Sequence, residues 1–432
     1  MKKTIFFLVV FGCCIGFCVP NESLSQEYSF DIEEFEKKPY EFSAAASFNP
    51  VVSFLNEESR LYRLKYLNAE SEDFLDEYDL SLEAKGSYEF SDVKFVSSGK
   101  YALMYNADDE WTDNFSLFEL YAQYSPNTNF TAWLGKKSVK WGKGYTWNPV
   151  SFVGKQKDVN DVDASLEGYS LFMGEFVKSF DSKFQTLSIS PVIIPVTEDL
   201  NDDFSPANSV NLALHAYMLI ADTDVGVYLF TDDRDHRKAG VDFAKNLLSN
   251  WEIHAEWAYE NSYEKWYLDD DYALRQTSAD IMNYLLGTRY LTTSNTTIIF
   301  EYLHNDAGYS EDEMQNFFDA ADSAMADNNN QLLSVVKTFQ KNQLSRQFLM
   351  RDYFYLKATQ PEPFDILYFT PSAYAVYNVN DNSARIGIEV KYNRFKNLEL
   401  LIRQNYFPPR QNTEFGEKVT EYKTEFYVKK YF

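Results

Sequence analysis

Beyond residue 18 the chain has no cysteine; its three thiols, Cys13, Cys14 and Cys18, all lie in the opening MKKTIFFLVVFGCCIGFCVPNES. Lys2 and Lys3, an apolar run from Ile5 to about Val19 and a polar stretch from Pro20 have the layout of a secretory signal peptide, too short to span a bilayer and without a stop-transfer flank. Cleavage after Cys18, with Gly16 three residues back from the cut, leaves no thiol, so disulfides are excluded as a scaffold. Lipidation at Cys13 in VFGC is the alternative, against which the bulky Phe11 argues. Further along, no segment approaches ~18 consecutive apolar residues, which excludes spanning helices. Also missing are GxSxG, HExxH and a glycine-rich phosphate loop, and the four histidines, His215, His236, His254 and His304, have no metal-ligand spacing. No cofactor is implied. Asp235 beside His236, or His304 near Asp306, can be drawn as acid-base pairs, but solvated loop or lumen residues are the plainer reading. A formal charge of -25 argues against nucleic acid as a partner.

What the chain does have is aromatic residues, 32 Tyr and 36 Phe, under a negative mean hydropathy. Soluble cores that hide this many rings also raise hydropathy, whereas membrane barrels spread them in girdles over a polar lumen and polar loops. The residues alternate as such a wall requires. In EYDLSLEAKGSYEF, residues 77–90, Tyr78, Leu80, Leu82 and Tyr88 alternate with Glu77, Asp79, Glu83, Lys85 and Glu89. NWEIHAEWAYE, ARIGIEVKY and the stretch from Leu398 to Arg403 repeat the pattern, and period two over such lengths means strands between two unlike solvents.

Strands are expected near 39–50, 77–90, 92–106, 113–125, 128–141, 167–180, 184–195, 209–222, 224–231, 237–247, 250–261, 279–292, 295–305, 349–360, 364–378, 384–394, 397–407 and 418–432. LYRLKYLN, residues 61–68, competes with 39–50 for the first strand. Short turns alternate with long polar loops at 142–166, 196–209, 262–278 and 306–348, a parity that a β-sandwich does not have. The expected fold is all-β: a transmembrane antiparallel up-and-down barrel of about 18 strands, with 16 as the alternative, over residues 39–432. It follows a signal peptide at 1–18 and a periplasmic segment at 19–38. In hydrocarbon every backbone group needs a partner, so only a closed sheet crosses as strands. The terminal TEFYVKKYF, ending in Phe432, resembles the recognition signature that outer-membrane barrels present to their assembly machinery, although Lys430 stands where that pattern usually has an apolar residue. Outer-membrane lipid and lipopolysaccharide are the other expected partners.

The stretch KKSVKWGKGYTWNPVSFVGKQK, residues 136–157, holds six lysines (Lys136, Lys137, Lys140, Lys143, Lys155, Lys157) and no acid. It runs into the third long loop. Folded inward, it would make a basic constriction that attracts small anions; at the rim, its lysines would touch lipid phosphates or water. Strand parity adds Glu119, Glu83, Glu256, Arg351, Lys357, Arg385, Glu389 and Arg403 as lumen candidates. The acid clusters at 158–163, 197–203 and 268–271 lack EF-hand spacing and read as solvated loop charge rather than calcium sites. Residues 310–339 break the β pattern: Ser310 with Glu313 makes a capping box, and Met314, Phe317, Phe318, Ala321 and Met325 have helical spacing. This extracellular loop helix could lie over the pore or pack on the rim, the rim being slightly favoured.

LGKKSVKWGKGYTWNP, after a strand carrying FELYAQY, resembles the glycine, basic residue, Trp-Gly signature of porin-like outer-membrane proteins related to alginate-export and uncharacterised barrels. In that pattern an acid on the preceding strand, here Glu119, accompanies a basic position, here Lys136 or Lys137 in place of the common Arg. LEGYS (166–170), GVDFAKN (240–246) and the terminal strand share the general layout. The resemblance implies an outer-membrane channel for small hydrophilic solutes, without naming one. A plugged binding or structural barrel, or an exporter component, is the alternative.

Overall fold

The computed structural model describes residues 38–432 apart from 68–70, 106–109, 156–166, 328, 345 and 347. The expected signal peptide, Cys13, nearly all of the 19–38 segment, Lys157 and the 158–163 acid cluster lie outside the described residues. Eighteen strands follow one another: β1 (Tyr40–Leu55), β2 (Phe74–Phe90), β3 (Val93–Tyr105), β4 (Trp111–Asn127), β5 (Phe130–Lys137), β6 (Tyr169–Ser179), β7 (Phe184–Val196), β8 (Ser209–Ile220) and β9 (Thr223–Thr231) form the first half. The second half is β10 (Arg237–Leu248), β11 (Trp251–Leu268), β12 (Leu274–Leu291), β13 (Thr297–Asn305), β14 (Asp352–Thr359), β15 (Phe369–Asn378), β16 (Ser383–Tyr392), β17 (Leu398–Tyr406) and β18 (Thr420–Tyr431). Each pairs antiparallel with its sequence neighbours, and β1 closes the sheet by pairing with both β2 and β18. The chain is therefore a closed, eighteen-stranded, up-and-down barrel, and no edge is left to present unpaired backbone groups.

The two faces separate as the alternation requires. On β2, Leu80, Leu82 and Phe90 are half or more exposed, while Ser81 between the two leucines is buried and hydrogen-bonds Ser47 of β1 across the inner face at 2.6 Å. On β12, Met282 and Leu286 point out, and Ile281 and Leu285 are buried inside. Because the side-chain period is two, a one-residue slip would turn every inner charge toward the outer face. Both chain ends of the barrel lie on the rim of short turns, some of them two residues long: Ala221 and Asp222 (φ 49° and 58°) make the left-handed corner that a tight hairpin needs.

Three local differences from the sequence reading have physical causes. Residues 61–67 do not form a strand: the Ser59 side chain accepts the Tyr62 N–H and caps a short helix, α1 (Arg60–Lys65), so β1 is the 39–50 segment extended to Leu55. Most of 262–278 is strand rather than loop. Ser262 (φ 53°) sits in a bulge between Glu260 and Tyr263, after which β11 and β12 continue pairing up to a turn at 269–273. Finally, β15 begins at Phe369 instead of 364, because Pro363–Asp365 form a 3-10 turn.

On the long-loop rim stand helices α2 (Glu311–Ala326) and α3 (Asn330–Gln343). The capping box of Ser310 and Glu313 is complete: the Ser310 hydroxyl accepts the Glu313 N–H at 3.2 Å, and Glu313 accepts the Ser310 N–H at 2.7 Å. Phe317, Phe318, Val336 and Phe339 are buried in one cluster with Leu64 of α1, Trp147 of the third long loop and the inward Leu285, Leu303, Tyr353 and Tyr355. Their apolar face is thus engaged by lumen-side residues, which is more than the packing on the rim that the sequence suggested. Arg60 ties α1 to this assembly through Asp322 (2.8 Å) and Glu417, and Lys265 of β11 holds Glu313 at 2.7 Å.

Candidate functional site

The third long loop folds into the barrel over its described residues 138–155, and two wall glutamates hold it there. Glu256, on the inner register of β11, is 2% exposed and accepts the backbone N–H groups of Lys143 (2.6 Å), Gly144 (2.7 Å) and Val150 (3.3 Å) together with Asn148 Nδ2 (2.9 Å). Glu301 of β13, fully buried, accepts the N–H groups of Tyr145 (2.5 Å) and Thr146 (2.9 Å), and its Oε1 lies 3.0 Å from His254 Nε2. A buried carboxylate is stable only when its lone pairs are filled, and a buried turn only when its N–H groups are. Loop and wall therefore satisfy each other. The glycine of the Trp-Gly signature has a steric reason here: Gly142 (φ 99°) passes so close that a Cβ would fall 2.6 Å from the Glu256 carboxylate. Tyr145 adds a second tier, its hydroxyl donating to Glu252 (3.2 Å), which also pairs with Arg289 (3.2 Å). Burial, with Glu252 next to it, pushes the Tyr145 hydroxyl up to about 12.

On one side of this anchor the loop is greasy. Val139, Trp141, Val150 and Val153 pack on the inward Leu171, Val192, Ile194, Tyr228 and Phe230 of β6 to β9. Trp147 at the tip joins the cluster beneath α2 and α3. The loop thus fills the β6–β15 half of the lumen. The opposite side keeps a cavity of about 470 Å³, lined among others by Ser43, Glu83, Lys85, Ser98, Glu119 and Lys140.

The five described lysines of the six disperse. Lys136 shares the outward register of Leu120 and Leu134 at the upper end of β5 and pairs with Glu167, so it is not on the lumen wall. Lys155 pairs with the same Glu167 (3.1 Å) and with Asp203 (2.9 Å). Burial would raise the Glu167 carboxyl, but the two ammonium groups outweigh it and hold it below its ordinary value. Lys137 faces inward over the rings of Tyr121 (4.8 Å) and Trp133 (5.3 Å), and Lys143 lies over Tyr217 (5.2 Å). Lys140 is exposed toward the cavity. Glu119 pairs with neither Lys136 nor Lys137; it accepts the Ser138 N–H at 3.3 Å.

Among the wall candidates, Glu83 bonds Lys429 (2.7 Å), and Arg403 bridges Glu389 (2.7 Å) and Glu425 (3.1 Å), with Lys423 completing the row at 2.6 Å from Glu425. Arg385 is buried between Tyr374 and Asn405. Lys357 shares the inner register of Tyr353 and Tyr355. Arg351 is off the wall, in the loop before β14, where it reaches the Gly308 carbonyl. The imagined acid-base pairs are not made as drawn: His236 bonds Glu260 (2.8 Å) and His304 bonds Asp352 (2.8 Å). Among the described residues no group of three or more His, Cys, Asp or Glu could hold a metal ion.

Sequence reasoning missed Glu301, His254, Glu252 and Arg289. The available signal was Glu301 itself, an acid on the inner register between Ile299 and Leu303, where a lone charge needs a partner from elsewhere.

Closure, antiparallel order and the oil-facing exterior define a porin-like transmembrane barrel. No family model matches the chain, and no curated protein does. Among solved structures, OccAB1 of Acinetobacter baumannii is similar at a TM-score of 0.55 with 11% identity, over 91% of this chain and 96% of that one. A triple mutant of Rhodopseudomonas blastica porin aligns at a TM-score of 0.45 with 11% identity, over 91% of this chain and all of the other.

Proposed function

We propose that the chain is an outer-membrane channel of a Gram-negative bacterium, passing small hydrophilic solutes by diffusion. The observation that carries this reading is the anchored loop: it narrows a closed barrel from one side and leaves a cavity with polar and charged lining residues on the other. A weak preference for anions is the finer part. The cavity's acids are engaged, Glu83 by Lys429 and Glu119 by the Ser138 N–H, whereas Lys85 and Lys140 form no ion pair with a described residue. Two free ammonium groups facing one passage favour anions locally, even in an acidic protein. Phe432, exposed and in phase with the outward Phe426 and Val428, supports the assembly machinery as a partner. No reaction is proposed.

Reversal potential in a salt gradient across a planar bilayer tests the selectivity. The unmodified protein is expected to prefer anions slightly and the double variant Lys85→Glu, Lys140→Glu to prefer cations. A clear cation preference that the substitutions leave unchanged removes the anion reading. The plugged barrel remains a second reading because Trp147, Tyr353, Tyr355 and Phe317 pack into one buried cluster on the β11–β15 side of the mouth; it requires that no stable conductance step be seen at all.

A further inference from the structure

Most short turns of the barrel are polar or small: Ser91–Asp92, Thr128–Asn129, Ala221–Asp222, Ser249–Asn250 and the Thr-Ser-Asn run 292–296. The turn between β14 and β15 is not. Over 360–368 it shows Phe364 94%, Ile366 48%, Leu367 61% and Tyr368 50% exposed. Glu362, Phe364, Asp365 and Tyr368 hold left-handed φ between 50° and 64° without a glycine among them, a conformation such residues adopt rarely. The result splays successive apolar side chains away from the barrel. The Glu362 carboxylate is turned back onto the Tyr368 N–H at 2.8 Å and does not shield them.

The next turn on this rim, 393–397, is tied to the first by the Asn393 N–H donating to the Tyr368 carbonyl at 3.1 Å. It exposes Phe395 between Arg394 and Lys396. Lys430, the residue out of keeping with an apolar terminal strand, reaches the same turn through the Lys396 carbonyl at 3.2 Å. In a chain of net charge -25, three cations thus gather around one aromatic patch.

We propose that turns 360–368 and 393–397 form a lipid anchor, with Phe364, Leu367 and Phe395 in the leaflet on the short-turn side and Arg394, Lys396 and Lys430 at anionic phospholipid phosphates. The occupant follows from continuity. Phe369 has the outward parity of Ala373 and Ala375 further along β15, which pair with the exposed Leu356 of β14 and Ile388 and Ile386 of β16, and the exposed Leu367 lies two residues before it, so the patch sits at the end of the surface that already faces acyl chains. Aromatic rings with basic neighbours at an oil-water boundary suit phospholipid, since each ring has an apolar body and each cation a phosphate within reach. The anchor would fix the depth and tilt of this side of the barrel independently of the pore.

The proposal rests on the membrane reading, and the test separates the two. In the full chain with Cys13, Cys14 and Cys18 replaced by Ser, a nitroxide is placed at Phe364→Cys, at Leu286→Cys on the outer wall and at Ser294→Cys on a polar turn. The protein is reconstituted in phosphatidylethanolamine-phosphatidylglycerol vesicles, and collision rates with oxygen and with a soluble nickel chelate are compared. Positions 364 and 286 are expected to favour oxygen and 294 the chelate. A label at 364 that behaves like 294 while 286 reads as lipid overturns the anchor alone; an aqueous reading at 286 as well overturns the membrane barrel and the anchor with it. For the headgroup part, the double variant Arg394→Gln, Lys396→Gln is expected to immobilise at least twofold less spin-labelled phosphatidylglycerol, and an unchanged fraction removes it.

Discussion

Glu301 and Glu256 show how single side chains decide what the barrel does. Each gains its meaning from N–H groups more than 100 residues away in sequence. Such partnerships leave no periodic trace, so Glu256 could be placed on the inner wall from parity alone, while its task of holding the loop could not. Charge-assisted hydrogen bonds contribute about 1.5–3 kcal/mol each. Glu301→Gln, which offers one acceptor where two N–H groups need one each, is expected to weaken loop docking by about 2–3 kcal/mol. Hydrogen exchange at Tyr145 and Thr146 should then accelerate by roughly one to two orders of magnitude; unchanged protection would show that the apolar packing holds the loop unaided.

A second residue is expected to make the loop between β17 and β18 sensitive to pH. Glu414, in the loop between β17 and β18, is buried and accepts from Leu349 N–H (3.0 Å) and Asn378 Nδ2 (2.8 Å). Burial pushes its carboxyl from 4.5 up to about 7. A raised value means the docked loop binds the proton more tightly than the undocked one. Its contribution is therefore whole below 4.5 and fades as pH rises through about 7. Protease resistance of residues 407–419 should fall over that window, and Glu414→Gln should flatten the profile.

Among the elements, the strands were legible wherever alternation ran unbroken, and misread where something local intervened. The upper halves of β11 and β12 escaped because the bulge at Ser262 shifts the phase, so the polar residues that follow look like loop. The 61–68 segment misled in the other direction: eight residues alternate by chance as easily as by design, and the Ser59 cap, which decides for helix, sits outside the pattern. The lysine-rich stretch was legible as an excess of charge, but not as the pairs it forms with Glu167 at the far end of the same loop and with Asp203 of the next long loop. Parity makes a direct test. Leu286→Arg, on the outer face of β12, is expected to destabilise the barrel by about 2–4 kcal/mol in lipid, and Lys85→Gln, on the inner face of β2, by less than about 0.5 kcal/mol. Urea unfolding in vesicles measures both, and equal effects would contradict the assignment of faces. For the helices, Phe317→Ala should cost about 3–5 kcal/mol of local packing, exposing 311–343 to protease while the strands stay resistant.

At the scale of the whole molecule, closure solves the backbone problem, alternation solves the solvent problem, and the anchored loop occupies one side of the lumen and leaves a cavity on the other. The lumen charges are largely matched: Glu389, Arg403, Glu425 and Lys423 form one row, and Lys429 covers Glu83. On the proposed reading, discrimination would fall to Lys85 and Lys140, which form no ion pair with a described residue. The measurement that bears most directly on this account is single-channel conductance in a planar bilayer, for the unmodified protein and for Glu256→Ala with Glu301→Ala. Stable ohmic steps that grow larger and noisier once the loop loses both anchors are expected. A protein that inserts but shows no step, with the loop anchored or released, would contradict the account.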